Sequence, residues 1–405
     1  MTSRERVRKA LNHEQPDRTP IDLGATRVTG ISVFAYARLR EYLGISGPPP
    51  KVFDAFQMLA EMEEPVRQAL HIDCIGVPMK RLVFNLRIDE WKPWRMWDGT
   101  EVQVPIEFEP VVQDNGDILI RNGGDATGPF VAHMPARGFY FDGIGHQTLS
   151  RELALVDPED YRKALGRFSD EDLDFVRDLA REYHDTTDYS VVGEFWGGGL
   201  WVPLNMPDAL VAFVSEPAWC REILQASADA AIENAKLYYQ AVGDTCDVWV
   251  VSGTDFGTQK QEFLRPSVFA DLFAPEYRRI MDWIHENTPA KTFLHSCGNN
   301  RGLLPIFIDM GVDIFNPVQC SAARMDPQEL KDEFGEKIVF WGGGINTQET
   351  LPRGSADECR AEATERCHIF GKGGGFVFNA IHNIQANTPP GNIVAMMEGA
   401  ASGTI

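Results

Sequence analysis

Arg18-Thr-Pro-Ile-Asp-Leu-Gly24 starts in a turn, passes through a brief apolar segment and ends in an acid and a glycine. A parallel strand buried on both faces reads this way, as a short apolar run leading into its exit loop. The segment therefore predicts the first strand of a series. Similar runs recur at 72–77, 190–195, 246–251, 291–295, 312–316, 337–341 and 375–379, with helical stretches between them. Strands alternating with helices imply a parallel sheet with crossover helices on its outer faces. Eight such units predict an α/β protein built as a (β/α)8 TIM barrel. An open doubly wound sheet is disfavoured, since no G-x-G-x-x-G turn follows the first strand.

Upstream, Thr2-Ser3-Arg4-Glu5 has the spacing of a capping box, and Val7, Ala10 and Leu11 continue at helical period until Pro16. The stretch from 81 to 145 breaks the rhythm. There Glu101-Val-Gln-Val-Pro and Asp117-Ile-Leu-Ile-Arg alternate, separated by Asp98-Gly99 and Asn115-Gly116 turn signals. It predicts a β-rich insertion between the second and third strands, hanging over the mouth of the barrel. No repeat, low-complexity tract or linker composition divides the chain, so 1–405 is expected to form a single barrel domain.

Lys+Arg 38 against Asp+Glu 59 gives a formal charge of −21, which repels nucleic-acid phosphates and anionic headgroups. No apolar run is long enough for a spanning helix, and the amino terminus lacks a secretory core, so a cytoplasmic location is expected. The 7 cysteines are odd in number and dispersed. Their expected chemistry is that of a reduced thiol or a metal ligand, and not of a disulfide framework.

Barrel active sites are built at the carboxyl ends of the strands. Those ends carry Asp22, Glu194, Asp255, His295 with Cys297, Asn316, Gln319 with Cys320, Asn346 and His382. In Phe293-Leu-His-Ser-Cys-Gly298, His295 and Cys297 are two apart and so face one side of an extended chain. Imidazole and thiolate both suit zinc, and a catalytic zinc takes three protein ligands and leaves a position open. His382 is the first candidate for the third ligand and Cys320 the second. A buried histidine beside an inert cysteine is the plainer alternative. Asp255 and Glu194 are candidate catalytic groups, acting as acid or base, as partners of a ligating imidazole, or as a fourth ligand. Alternatively they cap helices or pair with Lys260 or Arg265. Gln319 and Asn316 could hydrogen-bond a substrate oxygen. Trp91, Trp94 and Trp97, with Trp196 and Trp201, could supply an aromatic wall for a flat substrate, although packing in the insertion is the reading that fits most of them better.

Several of these stretches together resemble one family. Arg4 to Pro20, Thr254-Asp-Phe-Gly-Thr-Gln259, His295-Ser-Cys-Gly298, Trp341-Gly-Gly-Gly-Ile-Asn-Thr-Gln348 and Ala386-Asn-Thr-Pro-Pro-Gly-Asn392 are similar to the uroporphyrinogen decarboxylase superfamily. More narrowly they resemble its cobalamin-linked methyltransferase branch. The resemblance implies a (β/α)8 barrel and a zinc held by a His-x-Cys pair and a later cysteine before a Thr-Pro turn. His295 and Cys297 match the pair. The later position is His382, a departure that keeps a nitrogen donor where the branch has a thiol. Decarboxylases proper carry an arginine-rich early segment for a polyanionic substrate. This chain has only Arg27 there, a poor cage for many carboxylates.

The expectation is a zinc-dependent methyltransferase of a corrinoid system, acting on a small methoxylated or related compound. Its cobalamin would arrive on a partner corrinoid protein, and a homodimer is compatible with this reading. The alternatives are a metal-independent decarboxylase or lyase using His382 and Asp255 as proton carriers, and a catalytically silent ligand-binding barrel.

Overall fold

The computed structural model describes residues 1–123, 125–144 and 149–402. Gly145, the expected far edge of the insertion, lies outside them. Seven strands form one parallel sheet in chain order: β1 (Cys74–Val77), β2 (Ser190–Gly193), β3 (Val248–Ser252), β4 (Lys291–His295), β5 (Ile314–Asn316), β6 (Val339–Trp341) and β7 (Phe376–Val377). Each is apolar on both faces because each is covered on both. Val192, Val248, Val250, Phe293, Ile314, Val339, Trp341 and Val377 pack together in an inner cluster. The alternating residues, such as Val191, Trp249 and Val251, pack outward in the main core.

The segment expected to be the first strand makes a single bridge, Ile21 to Phe378, and not a strand. Even so, it hydrogen-bonds to segments at both ends of the sheet. Phe378 N–H donates to Pro20 O (2.8 Å), Asp22 N–H to Phe378 O (2.8 Å), and Asp73 N–H to Ile21 O (2.7 Å). Two features cut the ladder short: Pro20 has no N–H to give, and the chain turns away after Asp22 so that its carboxylate can accept the Ala25 N–H (3.1 Å). Asp73, fully buried, fastens this segment and the first helix to β1. It accepts from Ser3 Oγ, Arg6, Arg18 and the Ile21 N–H at 2.7 to 3.0 Å. Removing one partner of a buried charge costs about 3 to 5 kcal/mol, so the staple sets where the following loop leaves the sheet.

The first helix, Ser3–Leu11, starts in the capping box: Thr2 Oγ1 accepts from Glu5 N–H and Glu5 returns the bond to Thr2 N–H. Between β1 and β2 the chain forms Trp91–Arg95 paired with Glu101–Pro105, and a four-stranded antiparallel sheet of Val111–Val112, Ile118–Ile120, Ala132–Met134 and Asp142–Gly143. Gly99 and Gly116 take positive φ at its two expected turns. This region meets the sheet's loops through Phe141, whose N–H donates to Phe56 O (2.8 Å) beside Gln57. No helix among the described residues is long and apolar enough to cross a membrane.

Candidate metal centre

β4 ends at His295 and β5 ends at Asn316, and the parallel register pairs these two residues directly. Asn316, fully buried, donates Nδ2–H to Trp341 O (2.8 Å) at the end of β6. Its amide is thereby oriented, and Oδ1 faces His295 Nδ1 at 2.6 Å. Nδ1 must therefore carry the proton, which leaves the Nε2 lone pair free. Cys297 Sγ lies 3.4 Å from that nitrogen. His295 at the end of β4 and Cys297 two residues beyond it thus bring their ligand atoms together.

The turn after β4 is held from several sides. Asp255 accepts the Cys297 N–H (2.7 Å), Gln319 Oε1 accepts the Gly298 N–H (2.7 Å), and Asn300 Nδ2 donates to the Ser296 and Cys297 carbonyls at 2.8 and 2.9 Å. Gly298 sits at φ +88°, where an added Cβ would lie 2.4 Å from the carbonyl carbon of Gly257, so only glycine fits. At the end of β6, Gly342 and Gly343 also take positive φ, which brings that exit loop against Pro317 and Val318.

His382 arrives from the loop after β7. Its ring centre is 5.7 Å from that of His295, at 73°. The ligand atoms of His295, Cys297 and His382 all lie within 4.8 Å of one another. Burial, with the neighbouring His295, holds His382 down to about 4, and burial lowers His295 against the opposing pull of Asp255 and Asn316. Both imidazoles are therefore neutral at pH 7 and able to ligate. Burial, reinforced by Asp255, pushes the Cys297 thiol well up. Without a cation it remains a thiol, and a bound metal would remove that proton.

His382 Nδ1 accepts the Asn383 N–H (2.8 Å). Whichever ring nitrogen ligates, this bond is lost: Nδ1 would give up its lone pair, or Nε2 would pass its proton to Nδ1. Stranding the Asn383 N–H in this way costs about 1 to 3 kcal/mol. The donor set fits zinc, with a fourth position open.

The remaining expected residues fall in three places. Asp255, half exposed, stands 3.7 Å from His295 Nε2 and pairs with neither Lys260 nor Arg265 among the described residues. Asn316 and Gln319, expected to meet substrate, are committed to His295, Trp341 and Gly298. Glu194 is 1% exposed, and its Oε2 accepts from Trp196 Nε1 (2.8 Å) and from Arg27 N and Nε (both 3.3 Å). The Arg27 guanidinium lies over the Trp196 ring at 4.9 Å. Cys320 is not in the ligand group: its Sγ–H donates to Val318 O (3.4 Å), and burial pushes its thiol up to about 12. Asn346 caps the turn before 350, accepting from Gln348 N–H (2.8 Å). Trp94 and Trp97 pack on Phe108 and Phe139 within the β-rich region.

Sequence reasoning passed over Asp54 and Asn383, which lie around Arg27. Asp54 is buried beside Arg27 and Glu194, and burial raises its carboxyl against the opposing Arg27. Asn383 reaches both Arg27 O (2.9 Å) and Gln57 Oε1 (2.8 Å), tying the His382 loop to the loop after residue 24. A signal for Asp54 existed: Lys51-Val-Phe-Asp54 ends in an acid after an apolar pair, as Ile21-Asp22 does.

The family model described as uroporphyrinogen decarboxylase (URO-D) matches residues 204–402. Among solved structures, a methyltransferase from Methanosarcina mazei superposes with a TM-score of 0.59 at 16% identity, covering 99% of this chain and 98% of that one. An endo-beta-1,4-xylanase from Gloeophyllum trabeum covers 59% of this chain and 83% of that one, at 11% identity and a TM-score of 0.36, too distant to weigh. No curated protein sequence matches.

Proposed function

Starting from a uroporphyrinogen decarboxylase-type fold, carried in sequence by residues 204–402, we propose that the protein is a zinc-dependent methyltransferase of a corrinoid system. On this reading residues 20–22 complete a (β/α)8 barrel. A methyl group moves between a small methoxylated or related compound and the cobalt of a corrinoid held by a separate protein. The observation that carries the reading is the unprotonated Nε2 of His295, 3.4 Å from Cys297 Sγ, with the Nδ1 proton held by Asn316.

His295, Cys297 and His382 would hold the metal. Zinc bound there supplies a Lewis acid toward an ether or alcohol oxygen, or toward an acceptor thiol. Asn316 keeps the His295 tautomer that presents Nε2. Asp255 fixes the Cys297 backbone, and its half-exposed carboxylate is placed to take the proton that Cys297 or an entering thiol or alcohol gives up. Trp196, pinned by Glu194 and stacked by Arg27, offers a rigid face for a flat substrate.

The test is to incubate zinc-loaded protein with a panel of methoxylated aromatics and reduced cobalamin, reading methylcobalamin by its absorbance. Formation in the parent and its loss in Cys297→Ala are expected. Equal transfer by chelator-treated protein would overturn the proposal. One observation favours the metal-independent decarboxylase as a second reading: His382 already spends Nδ1 on Asn383. That reading predicts carbon dioxide release from a carboxylated substrate by the chelator-treated protein.

A further inference from the structure

A cavity of about 830 Å³ lies beside β1, and none of the three candidate metal ligands lines it. This volume is that of a small-molecule site. Ile75, which packs in the outer layer, and Gly76, which abuts Ala25, both line it, so the cavity wraps the side of β1 and reaches Glu194. Phe53, Trp91, Phe175 and Tyr183 give it aromatic walls.

Most of its charged lining is already matched. Lys51 pairs with Glu61, Arg67 with Glu64, Arg40 with Glu63, and Lys80 and Arg87 with Asp89. Two carboxylates remain. Glu182, exposed near the rim, has no ion pair among the described residues. Glu194, at the buried end, receives all its hydrogen bonds on Oε2, and among the described residues Oε1 receives none. Its Oε2 pairs with Arg27 Nε at 3.3 Å, which leaves Oε1 as the oxygen open to a further partner. The lining holds six acids against Lys51 and Arg67, and one oxygen of Glu194 meets no donor among the described residues, so this aromatic-walled space favours a cation.

We propose that this cavity binds an organic ammonium ion with an apolar or aromatic body, its charge set against Oε1 of Glu194. Aromatic faces add cation–π attraction once the ammonium group is desolvated. A neutral ligand of the same shape leaves the carboxylate short of a full charge partner, and an anion is repelled. The proposal concerns binding alone and stands whether or not the metal centre carries zinc.

Calorimetric titration of the full chain, zinc-free and zinc-loaded, with 2-phenylethylammonium and its neutral twin 2-phenylethanol tests it. The cation should bind at least about tenfold tighter than the alcohol in both forms. Glu194→Gln should erase that preference. Leu179→Trp, which fills the cavity from the helix Asp170–Thr186, should abolish binding without moving the melting temperature. Equal affinity for the two probes, no saturable binding of the cation, or binding that survives Leu179→Trp would each overturn the proposal. If Glu194→Gln does not fold, the parent's cation-to-alcohol ratio and Leu179→Trp still decide.

Discussion

Asn316→Ala is expected to weaken zinc binding more than any other change outside the ligands themselves. Asn316 bridges two buried groups: the His295 Nδ1–H at 2.6 Å and the Trp341 carbonyl at 2.8 Å. Truncation leaves both without a partner, at about 1 to 3 kcal/mol each, so the fold should lose roughly 2 to 6 kcal/mol. It also frees the imidazole to turn and to place its proton on Nε2. Loss of such a partner typically costs about 10- to 100-fold in metal affinity, equivalent to about 1.4 to 2.8 kcal/mol. Asn316→Asp separates the two effects. Its carboxylate still accepts from Nδ1 and keeps zinc affinity, but it cannot donate to Trp341, so stability falls. Competition with a chromophoric chelator reads the first quantity and urea unfolding the second. An Asn316→Ala protein that binds zinc within about twofold of the parent would refute the argument that this amide sets the imidazole.

Gly298→Ala should destabilise the fold by about 1 to 3 kcal/mol from its φ of +88° alone, and more from the clash with Gly257; an unchanged melting temperature would contradict this. Cys320→Ala should leave zinc stoichiometry and affinity unchanged, since its thiol turns to Val318 O; a lost metal would show that Cys320 is a ligand. Asp22 gives a pH test. Burial raises its carboxyl to about 6, against hydrogen bonds from Trp341, Thr29 and Ala25. The folded state therefore holds the proton more tightly than the unfolded chain does. Its stabilising contribution is fully present below about pH 4 and is lost as pH rises through about 6. Parent stability minus that of Asp22→Asn should fall by something on the order of 3 kcal/mol between those limits; a difference flat with pH would refute the burial argument.

The parts of the candidate centre legible in the sequence are those set by local period. His295 ends β4 and Cys297 follows it by two residues, a spacing that reads as one face of an extended chain, and Glu194, Asn316 and Asp255 stand at or just beyond strand ends where apolar runs stop. What each of them touches is fixed by register between strands far apart in the chain, which no local pattern records. Asn316 was legible as a polar strand end, but its pairing with His295 comes from the β4–β5 register. Arg27 and Asp54 come beside Glu194 only because the loop after residue 24 and the short strand Val52–Asp54 converge, outside the parallel strand series. The segment at 20–22 shows the opposite failure. Its composition is that of a strand, yet Pro20 and the turn at Asp22 leave one bridge.

The central claim is that His295, Cys297 and His382 form one zinc site. X-ray absorption at the zinc edge on the reconstituted chain, together with elemental analysis, tests it most directly. About one zinc per chain is expected, with one sulfur and two imidazole nitrogens among its neighbours, falling to none in Cys297→Ala. A chain that takes up no zinc on reconstitution, or a zinc with no sulfur neighbour, would contradict it.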